Sequence, residues 1–321
     1  MISPTSRGGL FYMTKPVVLI TAGDPLGIGP EITIKALRDS RVQRACTPVV
    51  IGEAASLVAA GFTDDLAHLL PLNMPSKLSG KPRPTALGGR ISFQAVETGI
   101  KLALQTNAPL VTAPISKQSW ALAGIEFTGH TELLRARTHA DGLMMFVAGN
   151  VRCALVTEHF ALADLPRLLT KTHVQKSAEH FIQALEKLGI QSPRLGLCAF
   201  NPHASDNGKF GREENAVLLP AVRALRRQGY HVEGPLPTDA AWLSHLRGQY
   251  DGLLCLYHDQ ALLGLKLAAQ EPAVHLTAGL PFLRTSPAHG TAFDISGQHL
   301  ADPRSMIAAI LFAAKHANWK N

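Results

Sequence analysis

The sequence predicts an α/β fold with a largely parallel β-sheet. Short apolar runs alternate with segments of helical periodicity over most of the 321 residues, which is the pattern of βαβ units. The runs are continuously apolar, as expected for strands that helices cover on both faces. With 46% hydrophobic residues the chain can bury a large core, and its length favours two domains or one large one.

In the first half of the chain, three apolar runs each pair with a helical pattern. The pairs are 17–22 with a helix at 30–38, 48–52 with a helix at 53–60, and 109–114 with a helix near 90–106. Between the first strand and its helix, residues 23–31 read GDPLGIGPE. Proline suits the first turn of a helix, and glycines let the backbone approach a ligand. A tight turn with a purely structural role is about as good an interpretation of this segment.

The second half contains three more apolar runs, at 153–156, 195–200 and 252–257. The clearest helix spans 172–188, where apolar residues recur at helical spacing, and we expect Thr172 to cap its start and Gly189 to end it. A further helix is predicted at about 212–228, in which Pro220 marks either a kink or the true first turn. Two segments rich in turn-forming residues are predicted to be loops, 201–212 and 233–239.

Three histidines stand just past these second-half runs: His159, His203 and His258. Open α/β sheets bind ligands beyond the carboxyl ends of their strands, so these side chains are candidates for one site. Three neutral imidazoles would suit a divalent metal ion with an open coordination position for substrate. Because the chain holds 14 histidines, placement after strands by chance is the alternative.

Two further polar segments are candidates for ligand binding. Segment 284–297, RTSPAHGTAFDISG, is too polar for the core, and Arg284 within it suits a phosphate or carboxylate; an exposed salt bridge is the alternative role. In segment 128–132, TGHTE, His130 and Thr131 can donate to an anion, although Thr131 alone is better explained as a helix cap.

Composition narrows the classes of partner. The net charge of +7 comes from scattered basic residues, which favours an anionic small molecule over nucleic acid. No apolar run reaches the roughly 18 residues of a membrane span, and no signal-peptide pattern is present, so we expect a cytoplasmic protein. The four cysteines are widely spaced and predict buried, reduced thiols. Residues 1–12 carry no periodic pattern and are expected to be a disordered leader or an upstream start.

Many uncommon short sequence motifs occur together in one order, from about residue 17 to residue 310. They are GDPLGIGPE, TAPISK, GHTE, NPHASDNGKFGREE, EGPLPTD, YHDQALLGLK, GLPFLRTS and HGTAFDISG. In these motifs the chain resembles the 4-hydroxythreonine-4-phosphate dehydrogenase family of pyridoxal 5'-phosphate biosynthesis, within the isocitrate and isopropylmalate dehydrogenase superfamily. The resemblance implies two α/β/α domains with the active site in the cleft between them. Residues 13–135 with 281–321 would form the first domain and 136–280 the second, which would carry the metal ligands and the dimer interface.

The resemblance also implies functional residues. The metal ligands would be His159, His203 and His258, with the last supplied across the interface of a homodimer, and zinc, cobalt or magnesium as the ion. Substrate contacts would come from His130, Thr131, Lys266, Arg284 and His275, where His275 stands at a position usually occupied by asparagine. NAD or NADP would lie along HGTAFDISG, with His289, Gly290, Thr291 and Asp294 as its contacts.

The implied reaction is metal-assisted oxidation of 4-phosphohydroxy-L-threonine to 2-amino-3-oxo-4-(phosphooxy)butanoate, which decarboxylates to 3-amino-2-oxopropyl phosphate. We expect Lys266 to take part in proton transfer, and Asp239 and Asp259 to orient ligand imidazoles. His275 keeps a related activity open, the oxidation of phosphorylated threonate or erythronate. Less favoured alternatives are a metal-dependent phosphatase, for which HGTAFDISG would have no purpose, and a nucleic-acid binder.

Overall fold

The computed structural model describes residues 15–74 and 81–319, and within them the predicted α/β class is confirmed. The strands are β1 (Val17–Thr21), β2 (Thr47–Gly52), β3 (His68–Pro71), β4 (Leu110–Thr112), β5 (Leu143–Ala148), β6 (Val151–Leu155), β7 (Leu195–Cys198), β8 (Val232–Leu236), β9 (Gly252–Cys255), β10 (Val274–Ala278) and β11 (Arg284–Pro287). The helices are α1 (Gly29–Leu37), α2 (Ser40–Ala45), α3 (Ala54–Ala59), α4 (Ala86–Thr106), α5 (Lys117–Leu122), α6 (His130–Thr138), α7 (Leu165–Leu168), α8 (Lys171–Lys187), α9 (Leu219–Arg227), α10 (Thr238–Leu246), α11 (His258–Ala268) and α12 (Arg304–Lys315).

The strands form one sheet in the order β3-β2-β1-β4-β11-β10-β5-β6-β9-β7-β8. Pairings on both sides are parallel, but β10 pairs antiparallel with β11 and β5, and β5 pairs antiparallel with β6. The two halves of the sheet therefore run in opposite directions. The prediction of a largely parallel sheet is confirmed, since seven of the ten strand pairings in the described residues are parallel, and only the centre departs from it. There, β5 and β6 are joined by only Gly149 and Asn150. Such a short connection can only make an antiparallel hairpin.

The first half of the chain follows the predicted alternation of strands and helices. Helix α4 begins at Ala86, earlier than predicted, because Thr85 caps it: its Oγ1 accepts a hydrogen bond from Gly88 N at 3.0 Å. The first turn of α4 packs closely on α5. A Cβ added at Gly89 would lie 2.0 Å from the backbone oxygen of Ser119. Only glycine fits at this crossing.

In the second half, α8 is capped by Thr170, so the prediction that Thr172 caps this helix is wrong. Gly189 follows the end of α8 with φ +89°, as predicted. The helix predicted at about 212–228 is present, but it begins before Pro220, because a π-helical segment, Glu214–Leu218, runs directly into α9. Pro220 stands where the backbone changes from π-helical to α-helical and does not mark the true first turn.

The predicted loop at 233–239 is wrong over most of its length, because β8 and the start of α10 occupy it. Strand β8 is at the edge of the sheet, and proline is tolerated in an edge strand because one side of the strand needs no hydrogen-bond donor. Pro235 therefore does not interrupt the strand.

The closing strand and helix return to the first half of the sheet. Strand β11 pairs with β4, and α12 packs on β11, α1 and α2. The division into domains 13–135 with 281–321 and 136–280 stays a prediction, since one sheet runs through both. Residues 1–12, the predicted leader, lie outside the described residues. The four cysteines are buried and free, as predicted. None of the helices in the described residues is long and apolar enough to cross a membrane.

Candidate active site

A cavity of about 930 Å³ lies over the central strands and brings together side chains from both halves of the sheet. Most of the predicted site residues line it: His130, Thr131, His159, His258, Lys266, His275, Arg284, His289 and Gly290. His203, Asp239, Asp259, Thr291 and Asp294 do not line it. The cavity also contains polar residues that the sequence did not single out, among them Lys117, Glu132, Arg135 and Glu158.

Arg284 is the central charge of this cavity and is only 1% exposed. Its Nη2 donates to Thr112 Oγ1 at 2.7 Å, and its Nη1 donates to Thr277 Oγ1 at 3.2 Å. Across the described part of the chain, no carboxylate forms an ion pair with it, and its buried Nε has no hydrogen-bond partner. Burial lowers the pKa of Arg284 to about 9. A buried guanidinium with free donors and no acid beside it favours binding of an anion.

Two histidines flank Arg284. The Nε2 atoms of His130 and His275 are buried and have no partner among the described residues. Burial lowers the pKa of both imidazoles well below the usual range, and the charge of Arg284 lowers each pKa further. Both rings are therefore neutral near pH 7, and each can offer one hydrogen bond to a ligand without adding charge.

His159 and His258 lie together at another wall of the cavity, with ring centroids 5.4 Å apart. They follow β6 and β9, which are adjacent and parallel, so the strand-end reasoning correctly predicted their proximity. Burial is the main cause that lowers the pKa of His159, and it keeps the imidazole neutral. His258 Nδ1 contacts Asp259 Oδ1 at 2.7 Å, which leaves His258 Nε2 free as a ligand.

His203 does not join this pair. It follows β7, the other neighbour of β9, but its exposed side chain lies on a turn in which residues 203–207 all have positive φ. The left-handed turn redirects the chain immediately after the strand. Among the described residues, no group of three side chains is placed to hold a metal ion. One chain thus brings together two of the three predicted ligands.

The remaining predicted catalytic residues lie on two helices. Lys266 is in the last turns of α11, the helix that begins with His258, and it lines the cavity. Asp259 is exposed, and its carboxylate contacts the ring of His258. Asp239 is exposed in the first turn of α10, away from the cavity lining. The geometry thus allows Asp259, and not Asp239, to orient a ring of the histidine pair.

The two signature segments at 23–31 and 284–297 are in direct contact. Ile28 N donates to Thr291 O at 2.9 Å, and a Cβ added at Gly27 would lie 3.0 Å from Thr291. A second cavity of about 470 Å³ lies between the two segments, and Leu26 and Gly297 are part of its lining. The contact between the segments explains the glycine at position 27, where a side chain would press against Thr291. The second cavity shares no lining residue with the main cavity.

A buried carboxylate holds the first of these segments. Asp24 Oδ2 accepts from Ser119 Oγ at 2.7 Å, and Oδ1 accepts from Leu26 N at 3.1 Å. Burial raises the pKa of Asp24, while these hydrogen bonds oppose the rise. Sequence reasoning noted the glycines of this turn and missed Asp24.

An ion pair at the rim was also missed. Arg135 Nη2 donates to Glu158 Oε1 at 2.6 Å and to Gly142 O at 2.7 Å. Glu158 directly precedes His159, which was the one available signal for it. The pair places a carboxylate and a guanidinium on the same wall as the histidines.

Comparison with known proteins agrees with the predicted resemblance. Residues 40–313 match the family described as "Pyridoxal phosphate biosynthetic protein PdxA". The chain is 43% identical to a 4-hydroxythreonine-4-phosphate dehydrogenase from Caulobacter vibrioides, over 95% of this chain and 98% of the relative. It is 37% identical to a D-threonate 4-phosphate dehydrogenase from Cupriavidus necator, over 94% of this chain and 97% of the relative.

Solved structures agree as well. A putative 4-hydroxythreonine-4-phosphate dehydrogenase from Salmonella typhimurium superimposes with a TM-score of 0.85 at 36% identity, covering 94% of this chain and all of that chain (100%). A terephthalate 1,2-cis-dihydrodiol dehydrogenase from Burkholderia xenovorans gives a TM-score of 0.69 at 27% identity, covering 93% and 97%. On these grounds the chain belongs to the PdxA family of pyridoxal phosphate biosynthetic proteins.

Proposed function

We propose that this protein oxidises 4-phosphohydroxy-L-threonine with NAD or NADP to 2-amino-3-oxo-4-(phosphooxy)butanoate, which loses carbon dioxide to give 3-amino-2-oxopropyl phosphate. Family membership and the activity named for the Caulobacter relative support a dehydrogenase. The observation that carries the substrate class is the buried Arg284, which has free donors and no carboxylate partner in the described chain. A substrate with an anionic group supplies the missing charge.

The chain's own residues bind and orient this substrate. Arg284 fixes one anionic end by hydrogen bonds from its free donors, and His130 adds a neutral contact. Lys266, at the wall formed by α11, takes the proton from the substrate hydroxyl. When bound, a nicotinamide would accept the hydride and a divalent metal would acidify the alcohol. The cofactor would contact His289, Gly290, Thr291 and Asp294, next to the second cavity.

The donor set fits a divalent metal in part. His159 and His258 lie close together and open to the cavity, and burial lowers the pKa of His159, so that its ring is available as a neutral ligand. Imidazole ligands suit zinc or cobalt, while magnesium prefers oxygen ligands. Asp259 would fix the ring of His258 in the tautomer that presents Nε2 to the metal. A complete site needs a third ligand. The family resemblance led us to expect His258 from the second subunit, but His258 lies beside His159 in the same chain, so the exposed His203 is instead the ligand that a second subunit would supply.

A homodimer is part of the proposal for this reason. Exposed apolar side chains occur on the segments that carry the histidine pair: Phe160 follows His159, and α11, which begins at His258, carries Leu263 and Leu267, the last of which is 81% exposed. A second subunit would bury these side chains and bring one predicted ligand across the interface. We further propose a cytoplasmic location, where nicotinamide-dependent biosynthesis takes place.

Oxidation of 4-phospho-D-threonate is the second candidate. The Cupriavidus relative bears that activity in its name, and His275 replaces the asparagine that the family resemblance leads one to expect. 4-Phosphohydroxy-L-threonine carries an amino group where 4-phospho-D-threonate carries a hydroxyl group, and both substrates carry a phosphate and a carboxylate. Arg284 therefore serves either of them.

The test is NADH or NADPH formation on adding each substrate to metal-loaded protein, with His159→Ala as the control for the metal site. Signal with 4-phosphohydroxy-L-threonine in the wild type, and its loss in the variant, is the expected result. Signal only with 4-phospho-D-threonate would select the second candidate. Release of inorganic phosphate without reduced nicotinamide would instead make the protein a phosphatase.

A further inference from the structure

His275 is held between two neighbouring strands so that one edge of its ring is free. In β10 it lies opposite Ser286 of β11 on one side and Phe146 of β5 on the other. The ring stacks on Phe146, with centroids 5.0 Å apart and planes inclined by 24°. This contact sets the plane of the imidazole. Because Nδ1 faces β11, the opposite atom, Nε2, is the one left without a partner in the described structure.

The neighbours of Nδ1 determine where the proton of this neutral ring resides. Arg284 Nη1 lies 3.3 Å from His275 Nδ1, and Ser286 Oγ lies 3.1 Å from the same atom. A guanidinium can only donate, so Nδ1 must accept and must carry the lone pair. A proton on Nδ1 would point at the N–H of a buried cation. The proton is therefore on Nε2.

We propose that His275, locked by Arg284 in the Nε2–H tautomer, donates this hydrogen bond to an anionic oxygen of the substrate and is a specificity-determining residue. The inference deepens the proposed function and takes the phosphorylated substrate from it. Nε2 is buried, so an unmet donor there costs free energy until a ligand oxygen accepts. The Nε atom of Arg284 is likewise buried and free, so two unused donors belong to the same pair of residues.

As a result, His275 can bind only a substrate group that accepts a hydrogen bond. An asparagine would present both a carbonyl oxygen and an N–H₂ group, and so could receive a substrate donor such as an ammonium group. His275 presents a single N–H, because its lone pair is committed to Arg284. The anionic oxygen comes from either the phosphate or the carboxylate end of the substrate, and both ends have the required chemistry.

The tautomer and its ligand can be observed directly by NMR of the full chain labelled with ¹⁵N in its histidines. The ring signals of His275 are identified by their loss in His275→Asn. The expected spectrum has an unprotonated Nδ1 and a protonated Nε2. Inorganic phosphate and acetate are then titrated separately, and at least one of them should move the Nε2–H signal in a saturable way. The ion that does so identifies the end of the substrate that binds here.

Binding of the effective ion to variants provides the second readout. His275→Leu removes the donor and should weaken binding by roughly 10- to 100-fold, the range expected for a hydrogen bond to a charged group. His275→Asn keeps an N–H and should stay within about threefold of the wild type. His231→Asn, a change of an exposed histidine before β8, should leave the titration unchanged.

A proton on Nδ1, an Nε2–H signal that neither ion moves, or equal binding by His275→Leu would overturn the inference. The tautomer is read on wild-type protein, so misfolding of a variant cannot hide the answer. Failure of the proposed function looks different. Absence of nicotinamide reduction together with a normal ion titration would refute the dehydrogenase and leave the role of His275 intact.

Discussion

Replacing Arg284 with methionine should affect substrate binding and the free energy of unfolding in opposite ways. Burial lowers the pKa of Arg284 from 12.5 to about 9, which corresponds to about 5 kcal/mol of unfavourable desolvation. Its hydrogen bonds to Thr112, Thr277 and His275 return about 1 kcal/mol each. In the ligand-free protein the guanidinium therefore has no net stabilising effect. The free energy of unfolding of Arg284→Met should equal that of the wild type or exceed it by about 1–2 kcal/mol.

Ligand binding should change in the opposite sense. The charged hydrogen bonds from Arg284 to a substrate anion are lost, so kcat/KM should fall by at least about 100-fold. Inorganic phosphate should raise the Tm of the wild type and not that of the variant. Urea unfolding of both proteins, with and without phosphate, measures all of these effects. A variant destabilised by more than about 3 kcal/mol, with phosphate protection retained, would refute the reasoning and make Arg284 a structural residue.

Three further predictions follow from the geometry. The pKa values of His130 and His275 are lowered in the folded state, so below about pH 6.5 the unfolded chain binds protons that the folded chain does not. The free energy of unfolding should therefore fall as the pH is lowered from 7 to 5, and it should fall less steeply in His275→Asn. Urea unfolding at each pH measures both effects. Lys266→Ala should lower kcat by about 100-fold or more while metal content, measured by atomic emission, stays unchanged; a raised KM with kcat intact would make Lys266 a substrate binder instead. Gly89→Ala should destabilise the protein by about 1–3 kcal/mol in thermal unfolding, because the added methyl group meets the backbone oxygen of Ser119. This clash outweighs the gain of about 1 kcal/mol in helix propensity. An unchanged or higher Tm would show that α5 can move away.

Local patterns in the sequence were sufficient to predict the class of the fold and the pairing of His159 with His258. Each histidine follows an apolar run, and adjacent parallel strands place their carboxyl ends together. The antiparallel centre was not predicted, because it depends on a hairpin at Gly149 that reverses the direction of the sheet. Periodicity identifies strands but does not reveal which strands become neighbours.

The position of His203 could not be predicted for a similar reason. Its placement follows from a run of left-handed backbone at residues 203–207, a conformation that non-glycine residues rarely adopt. The sequence also could not show that Arg284 has no carboxylate partner in the described chain, because that depends on which residues the fold places beside it. Sequence alone could propose an anion contact there, but it could not separate that role from an exposed salt bridge.

Measuring both reaction products in one sample tests the proposed reaction most directly. Metal-loaded wild-type protein is mixed with 4-phosphohydroxy-L-threonine and NAD, and reduced nicotinamide is measured together with 3-amino-2-oxopropyl phosphate by mass spectrometry. We expect equal amounts of both products from the wild type, and neither product from Arg284→Met at the same substrate concentration. Consumption of the substrate without reduced nicotinamide, or full activity of Arg284→Met, would contradict the proposed role of this cavity.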